Sequence, residues 1–397
     1  MTGIADRAGP LSHALRWQRG VVQDVAPPNV IDLSPGYLEP ALLPVDLVRA
    51  AYSTELARFG AAALSYGENR GVTELRDLLA QRLGTNGEHL LLTGGTSQAL
   101  HLIGTTLAAP GQVVLVEALS YDFGRRILLD CGLRVREFGD GPDELDEALR
   151  RAKAGGEQVA FVYLNPTFHN PTGTTMPLRH RERVLDVLAR HRVAAVEDSA
   201  YDELDLDGLG VPPALGALAG YRGVIQLGTF AKTLAPGLRL GWLVAAPEVT
   251  EQLATHGLLL SGGSPNHTTA LAVSGLVRDG GYDRHVGWLR ARLRDRRDAL
   301  VAALDDAALA DVDFAAPAGG FFVWLRSRGS HTEQDLLDAA ADAGVRVAAG
   351  SRFGTATTPS IRLAYSFNPP DRLAAGATAL AAALTGKPSD LNGVVHQ

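Results

Sequence analysis

The chain has 397 residues, which is more than one hydrophobic core usually serves, so we expect two domains. Hydrophobic residues make up 46% and charged residues 20%, which excludes a disordered or fibrous protein. The formal net charge of −7 argues against a chain that coats nucleic acid or anionic lipid, and a single cysteine, Cys131, excludes an intramolecular disulfide framework and a cysteine-based metal cluster. The N-terminus lacks the apolar stretch of a secretory signal, and no uncharged apolar run approaches the roughly 18 residues of a membrane span. We therefore expect a cytoplasmic protein with no membrane partner.

Short apolar runs alternate with longer amphipathic stretches, which is the pattern of a mainly parallel sheet flanked by helices. The predicted strands are short and rich in leucine or β-branched residues: Leu90–Thr93, Val113–Val116, Gln158–Leu164, Val193–Val196, Gly223–Leu227 and Gly241–Ala245. Helices are predicted between them, for example over Ser97–Leu107 and Arg179–His191. From about Ala270 the pattern changes to long helices, a Gly-Gly-Phe-Phe-Val-Trp strand and a last amphipathic helix near Asp371–Leu384.

This change in pattern predicts a large α/β domain over residues 45–275 and a smaller α+β domain formed by residues 1–44 and 276–397. We expect the first thirty or so residues to pack on the smaller domain and the polar tail Lys387–Gln397 to be frayed. The arginine-rich segment Leu289–Asp298 is interrupted by aspartates, which are neighbours of the arginines at helical spacing. We interpret this segment as a solvated helix face rather than a nucleic-acid patch.

The stretch Gly228–Trp242 is the most informative part of the sequence. It places Lys232 shortly after an apolar strand, where open α/β sheets bind their ligands. A partly desolvated amine there loses basicity and becomes a usable nucleophile toward an aldehyde. Thr229 adds a hydroxyl, and Arg239 adds a planar cation suited to a phosphate. A surface lysine and a salt-bridged arginine are the alternative, and we favour the site.

Three further stretches carry polar residues at the ends of predicted strands. Asp198 could keep a pyridine nitrogen protonated, or it could cap a helix. Asn170 belongs to the second of two Asn-Pro turns within nine residues and could donate to a phenolate oxygen, or it could be part of a plain turn. Thr96 and Ser97 begin a helix after a glycine pair, and backbone amides at a helix start can cradle a phosphate dianion. Each signal is weak alone, but four of them on one sheet indicate a ligand site.

Together these motifs resemble the class I/II aminotransferases of pyridoxal 5'-phosphate (PLP) fold type I, from about Ile31 to Leu384. The nearest branch includes aminoadipate and aromatic aminotransferases and the aminotransferase-like domain of the MocR regulators. The resemblance is carried by Ile-Asp-Leu-Ser-Pro-Gly, Tyr-Gly-Glu-Asn-Arg-Gly-Val-Thr-Glu-Leu-Arg, Asn-Pro-Thr-Gly-Thr-Thr-Met and Thr-Leu-Ala-Pro-Gly-Leu-Arg-Leu-Gly-Trp. It implies PLP as cofactor, a large domain with a mostly parallel central sheet flanked by helices, and a smaller α+β domain.

The resemblance also implies roles for individual residues. Lys232 matches the Schiff-base lysine, which also moves the α-proton, and Asp198 matches the partner of the pyridinium nitrogen. Tyr201 and Asn170 match the pair that bonds the ring hydroxyl, while Tyr121 matches the aromatic that stacks on the ring. The residues that match the phosphate cup are Gly95, Thr96, Ser97, Thr229 and Arg239.

The remaining matches concern the substrate and a second subunit. Arg362 matches the arginine that grips the substrate α-carboxylate, and Gly36 matches the loop glycine beside it, so we place both with Asn170 in the substrate site. Tyr66 matches a tyrosine that reaches the phosphate from the neighbouring subunit, which implies a homodimer with shared sites. No metal site is expected.

Four positions depart from the family pattern. Ala231 replaces a serine that usually precedes the lysine, so one hydroxyl toward the phosphate is missing, and Leu119 stands where a proline is usual. Leu293 replaces a common tyrosine. His267 stands where the branch usually has glutamine, and we interpret it as a packed histidine rather than a substrate ligand.

The resemblance implies an aminotransferase that transfers the amino group of an α-amino acid to a 2-oxo acid by a ping-pong cycle. The alternatives are a PLP-dependent C–S lyase acting on a cysteine conjugate, or a decarboxylating deaminase in a specialised biosynthetic pathway. A DNA-binding regulator is a further alternative of a different class. We set it aside because the segment before Ile31 is too short for a winged-helix domain and the chain is acidic.

Overall fold

A seven-stranded sheet forms the centre of the structure, which is a computed structural model that describes residues 26–27, 29–307, 309–329 and 331–385. The strands in chain order are β1 (Ile31–Asp32), β2 (Leu90–Thr93), β3 (Val113–Glu117), β4 (Arg134–Phe138), β5 (Val159–Leu164), β6 (Ala194–Asp198), β7 (Val224–Thr229), β8 (Gly241–Val244), β9 (Val312–Asp313), β10 (Phe322–Ser327), β11 (Val345–Arg346), β12 (Ala348–Ala349) and β13 (Ser360–Ala364). The central sheet has the order β2-β8-β7-β6-β5-β3-β4. Strand β8 runs antiparallel to both neighbours, and the pairs from β7 to β4 are parallel.

Helices cover both faces of this sheet, which is why its inner strands are mostly apolar and buried. The helices are α1 (Val45–Phe59), α2 (Thr73–Leu83), α3 (Thr96–Thr106), α4 (Asp122–Asp130), α5 (Pro142–Ala154), α6 (Leu178–His191), α7 (Leu215–Leu218), α8 (Pro247–Ala254), α9 (Gly257–Gly262), α10 (His267–Arg278), α11 (Gly281–Asp306), α12 (Glu333–Asp342) and α13 (Pro370–Leu384). Short 3-10 helices include Pro40–Leu42, Gly60–Leu64, Gly87–His89, Pro236–Leu238 and Gly350–Phe353. The predicted α/β class with a mostly parallel sheet is confirmed.

A second, antiparallel sheet of order β12-β13-β10-β9 packs with α11, α12 and α13 around a separate hydrophobic core. The N-terminal part of the described chain joins this unit, because β1 pairs in parallel with β11. The core of this unit also takes in Phe168 and Tyr201, which lie in loops that follow β5 and β6. The two sheets therefore meet at these loops. The predicted boundaries at residues 45 and 275 stay a prediction, and residues 1–25 and 386–397 lie outside the described chain.

The interpretation of Leu289–Asp298 as a solvated helix face is wrong for two of its arginines. Arg296 and Arg297 are both buried in α11. Arg296 donates to Glu39 Oε2 at 2.6 Å, and Arg297 forms an ion pair with Asp207 at 2.7 Å. Burial is tolerated because each guanidinium is paired. These arginines thus attach α11 to neighbouring segments.

Candidate active site

A cavity of about 790 Å³ opens where the carboxyl ends of β5, β6 and β7 meet the antiparallel sheet. Ligands of open α/β sheets bind at this end of the strands. The cavity brings together the following predicted site residues: Gly36, Gly95, Thr96, Ser97, Tyr121, Asn170, Asp198, Tyr201, Thr229, Lys232, Arg239 and Arg362.

Two residues singled out from the sequence do not line this cavity. The Tyr66 side chain is 86% exposed, next to Gly262 at the end of α9. His267 is the first residue of α10 and packs against Gly67, where a Cβ would lie 2.5 Å from its Nδ1 atom. Within one chain, Tyr66 therefore lies at the surface outside the cavity, and His267 is positioned against backbone.

Lys232 follows β7 and points its amine into the cavity. Its Nζ atom donates to Gly36 O at 2.7 Å and lies 5.6 Å from the ring centre of Tyr201. Desolvation and the positive charge of Arg362 lower the pKa of Lys232 to about 8. About a tenth of this amine is then neutral at pH 7, because each pKa unit is a tenfold change in the protonation ratio. An amine of this kind can attack an aldehyde at neutral pH.

Asp198 is the last residue of β6, and its two carboxylate oxygens have different surroundings. Oδ2 accepts a hydrogen bond from the Tyr163 hydroxyl at 2.7 Å. Oδ1 is buried and has no hydrogen-bond partner among the residues that the structure describes. Desolvation raises the pKa of Asp198, while the Tyr163 bond and the charge of Lys232 oppose this rise. A buried acceptor without a partner is costly, so Oδ1 is suited to receive a ligand N–H.

The N-terminus of α3 forms an anion cradle. Gly95 caps this helix with a φ of 94°, and a Cβ at this position would lie 3.2 Å from Arg239 Nη2. Arg239 Nη2 in turn donates to Gly94 O at 2.9 Å, which holds the guanidinium beside the helix start. Free backbone N–H groups, the hydroxyls of Thr96 and Ser97 and a guanidinium together suit a phosphate dianion.

Arg362, in β13, faces the cavity from the antiparallel sheet. Its Nη1 donates to Asn170 Oδ1 and its Nη2 to Ser34 O, both at 2.7 Å. The guanidinium carbon lies 4.0 Å from the ring centre of Phe322 and 4.6 Å from that of Phe353. Desolvation lowers the pKa of Arg362 to about 10, so the side chain remains a cation at neutral pH. A cation held in this way can bind a carboxylate in a defined orientation.

Tyr163 and Asn165 also belong to the site, although the sequence pattern did not indicate either of them. Asn165 Nδ2 donates to Asp198 O at 2.5 Å, and Asn165 Oδ1 accepts from Asn170 N at 2.7 Å. Asn165 thus fixes Asn170 relative to the end of β6. The available signals were the tyrosine near the end of the apolar run Val159–Leu164 and the asparagine directly after it.

An ion pair at the cavity wall was also missed. Arg352 Nε donates to Asp122 Oδ2 at 2.5 Å, and the Arg352 guanidinium lies 5.4 Å from the ring centre of Phe123. Backbone bonds join the same two segments, because Ser120 N donates to Phe353 O at 2.9 Å. These contacts connect the start of α4 to the antiparallel sheet beside the cavity.

Residues 28–380 match the sequence profile of the family described as aminotransferase class I and II. The chain belongs to this family. This aminotransferase is 32% identical over 370 residues to a 2-aminoadipate transaminase of Thermus thermophilus, covering 90% of this chain and 91% of the relative. It is 31% identical to aromatic-amino-acid aminotransferase 1 of Thermococcus litoralis, covering 91% of this chain and 90% of that one.

The fold is also that of solved aminotransferases. The crystal structure of LysN, an α-aminoadipate aminotransferase of Thermus thermophilus complexed with N-(5'-phosphopyridoxyl)-L-leucine, superposes with a TM-score of 0.81 and 31% identity. The superposition covers 90% of this chain and 93% of that structure. The fold is therefore PLP fold type I, as predicted.

PLP is the cofactor of this aminotransferase, and the residues of the cavity fit it. The anion cradle at α3 suits its phosphate, the unpartnered Asp198 Oδ1 suits its ring nitrogen, and the weakly basic Lys232 suits its aldehyde. Among the described residues, no group of three or more His, Cys, Asp or Glu side chains is placed to bind a metal ion. Across the same residues, none of the helices combines the length and apolar character that crossing a membrane requires.

Proposed function

We propose that this aminotransferase transfers the amino group of an α-amino acid to a 2-oxo acid, with Lys232 as the catalytic residue. One observation carries this proposal. The Lys232 amine, the Asp198 carboxylate and the Arg362 guanidinium line the same cavity, although they come from separate segments of the chain. Such a set can hold a cofactor and an amino acid side by side.

Bound PLP supplies an aldehyde that condenses with amines and a ring that takes up electrons when a bond to the amino-bearing carbon breaks. Lys232 Nζ would hold the cofactor covalently in the resting enzyme. Once a substrate amine has taken its place on the cofactor, the freed Lys232 amine would take up and return the substrate α-proton. Its pKa of about 8 suits this work, since a group titrating near the working pH can both accept and donate. Gly36 O, which accepts from Nζ at 2.7 Å, orients the amine.

The other residues hold the ring and the phosphate. Asp198 Oδ1 would accept a hydrogen bond from the ring nitrogen, and Tyr121 would pack on the ring. Asn170 uses its Oδ1 for Arg362, which leaves its Nδ2 to donate to the ring oxygen together with the Tyr201 hydroxyl. The phosphate would be held by Gly95, Thr96, Ser97, Thr229 and Arg239, which line the cavity.

Arg362 selects the substrate class. Its two Nη atoms are fixed by Asn170 and Ser34, so the guanidinium presents donors at a set distance from Lys232. An α-carboxylate on the substrate then places the α-carbon near Nζ, with Gly36 beside it. The substrate is therefore an amino acid with a free α-carboxylate. Two relatives are named for 2-aminoadipate and for aromatic amino acids, so acidic and aromatic amino acids should both be tested as substrates.

A second copy of the chain completes the site. Tyr66 lies beside Gly262 at the end of α9, and the apolar residues Leu64, Tyr66, Leu258 and Leu260 of these two segments are all exposed in a single chain. Exposed apolar residues on two adjoining segments are typical of an interface. We infer a homodimer in which Tyr66 of one chain reaches the phosphate of the other. The cytoplasmic location stays a prediction.

The test is a half-reaction with purified enzyme and a panel of amino acids without a 2-oxo acid. We expect one conversion of the bound cofactor for each active site, seen in its absorbance, and no release of ammonia. Ammonia released over many turnovers would instead favour the lyase or the decarboxylating deaminase. A 2-oxo acid added afterwards should restore the initial absorbance.

A further inference from the structure

Tyr163 is held in one position by its surroundings. It lies near the end of β5, where it pairs with Val116 on one side and Val196 on the other, and its side chain is 0% exposed. Gly124 of α4 makes room for it, because a Cβ on Gly124 would lie 3.1 Å from the Tyr163 hydroxyl. The hydroxyl therefore has little freedom to move away from Asp198 Oδ2, to which it donates at 2.7 Å.

This bond distinguishes the two oxygens of the Asp198 carboxylate. With Oδ2 occupied by Tyr163, the unpartnered oxygen is Oδ1. Rotation of the carboxylate out of its present plane would break this buried hydrogen bond, so Tyr163 fixes the direction in which the unpartnered oxygen points. Tyr163 thus determines which oxygen is available to a ligand.

We propose that Tyr163 is a positioning residue whose hydroxyl orients Asp198 so that Oδ1 meets the ring nitrogen of bound PLP. This inference rests on the proposed pairing of Asp198 with that nitrogen. The hydroxyl has a second effect, because donation to a buried carboxylate stabilises its charged form against desolvation. A charged Asp198 is the form that keeps the ring nitrogen protonated.

The pH dependence follows from the groups around Asp198. The titratable groups that interact with it are Tyr121, Tyr163, Glu197, Tyr201 and Lys232. The Tyr163 hydrogen bond lowers the pKa of Asp198, so its loss raises that pKa. The pH below which PLP affinity declines is therefore expected to move upward in a Tyr163→Phe variant.

The experiment compares the dissociation constants of apoenzyme variants for PLP and for 1-deaza-PLP, which has a CH group in place of the ring nitrogen. Tyr163→Phe is expected to weaken PLP binding about tenfold or more, the order of one charge-assisted hydrogen bond, and to leave the analogue nearly unaffected. The matched control is Tyr221→Phe, because the Tyr221 hydroxyl is buried without a partner among the described residues. This control should bind both compounds as the parent does.

Asp198→Asn distinguishes the role of Asp198 as partner of the ring nitrogen from the role of Tyr163 in orienting Asp198. It should weaken PLP but not the analogue, and Tyr163→Phe should cause no further loss in that background. If Asp198→Asn leaves PLP affinity unchanged, the pairing of Asp198 with the ring nitrogen is wrong. If Asp198→Asn weakens PLP but Tyr163→Phe does not, or if Tyr163→Phe weakens both compounds equally, the role of Tyr163 is overturned while that of Asp198 stands.

Discussion

Arg362 Nη1 donates to Asn170 Oδ1 at 2.7 Å across the cavity, and this bond connects the two halves of the site. Arg362 belongs to the antiparallel sheet, whereas Asn170 lies in the loop after β5 of the central sheet. The bond also decides which end of the Asn170 amide faces the cofactor, because an arginine can only donate. The side chain proposed for the substrate carboxylate therefore orients a side chain proposed for the cofactor ring.

Lys232→Ala is expected to abolish turnover, because it removes the amine that lines the cavity and is proposed to form the covalent link and transfer the proton. The chain has only three lysines, Lys153, Lys232 and Lys387, and of the two that the structure describes Lys232 lines the cavity. Borohydride reduction followed by mass spectrometry should locate the cofactor on Lys232. Lys153→Ala, in α5, is the control and should keep full activity. Normal turnover by Lys232→Ala would contradict the assignment.

The capture of PLP by the apoenzyme should depend on pH through the Lys232 amine. Only the neutral amine attacks an aldehyde, and the pKa of Lys232 is lowered to about 8. The rate should therefore rise about tenfold per pH unit below pH 8 and level off above it. The positive charge of Arg362 contributes to the lowered pKa, so Arg362→Leu should move the midpoint to higher pH. A rate independent of pH between 6 and 9 would show that another group limits capture.

Arg362→Ala should raise KM for amino acids about ten- to a hundredfold. A charge-assisted contact of this kind contributes about 1.5–3 kcal/mol, and about 1.4 kcal/mol is a factor of ten. Arg326→Ala is the matched control, since Arg326 is exposed on the neighbouring strand β10. The control should leave KM within twofold of the parent. An unchanged KM in Arg362→Ala would mean that the carboxylate is held elsewhere.

The proposed dimer can be broken at α9. Leu258→Asp combined with Leu260→Asp should give a monomer in analytical ultracentrifugation, because two charges are placed in an apolar interface. The same double variant should bind PLP more weakly, since Tyr66 of one chain then no longer reaches the site of the other. Leu209→Asp is the control, because Leu209 is 78% exposed in the loop after β6. A parent protein that is monomeric and fully active would rule out shared sites.

The central sheet could be predicted because most of its strands are buried on both faces and therefore appear in the sequence as short apolar runs. Leu90–Thr93 was predicted with its observed bounds, and the other five strands were placed within one or two residues. Strand β4 was missed, since it lies at the sheet edge and carries Arg, Arg and Glu at exposed or half-exposed positions. Periodicity does not distinguish such a strand from a polar loop.

Parts of the site could be predicted because a charged residue at the end of an apolar strand is unusual, as with Lys232 and Asp198. Tyr163 could not be predicted as a site residue, because a tyrosine in a buried strand is ordinary. Its role depends on a hydrogen bond to Asp198, which is 35 residues away in the sequence. The buried arginines of α11 were misread for a related reason. Their partners Glu39 and Asp207 come from distant segments, and helical spacing alone records only neighbours on the same helix.

The contacts of the active site span nearly the whole chain. Lys232 is 196 residues from Gly36, and Arg362 is 328 residues from Ser34. Contacts of such long separation form only after most of the chain is in place, since closing large loops costs entropy first. PLP would then bind only when folding is nearly complete. A chain still being synthesised would stay without PLP until β13 joins its sheet. A higher concentration of PLP would in turn increase the fraction of folded protein, since a ligand that binds only the folded state stabilises it.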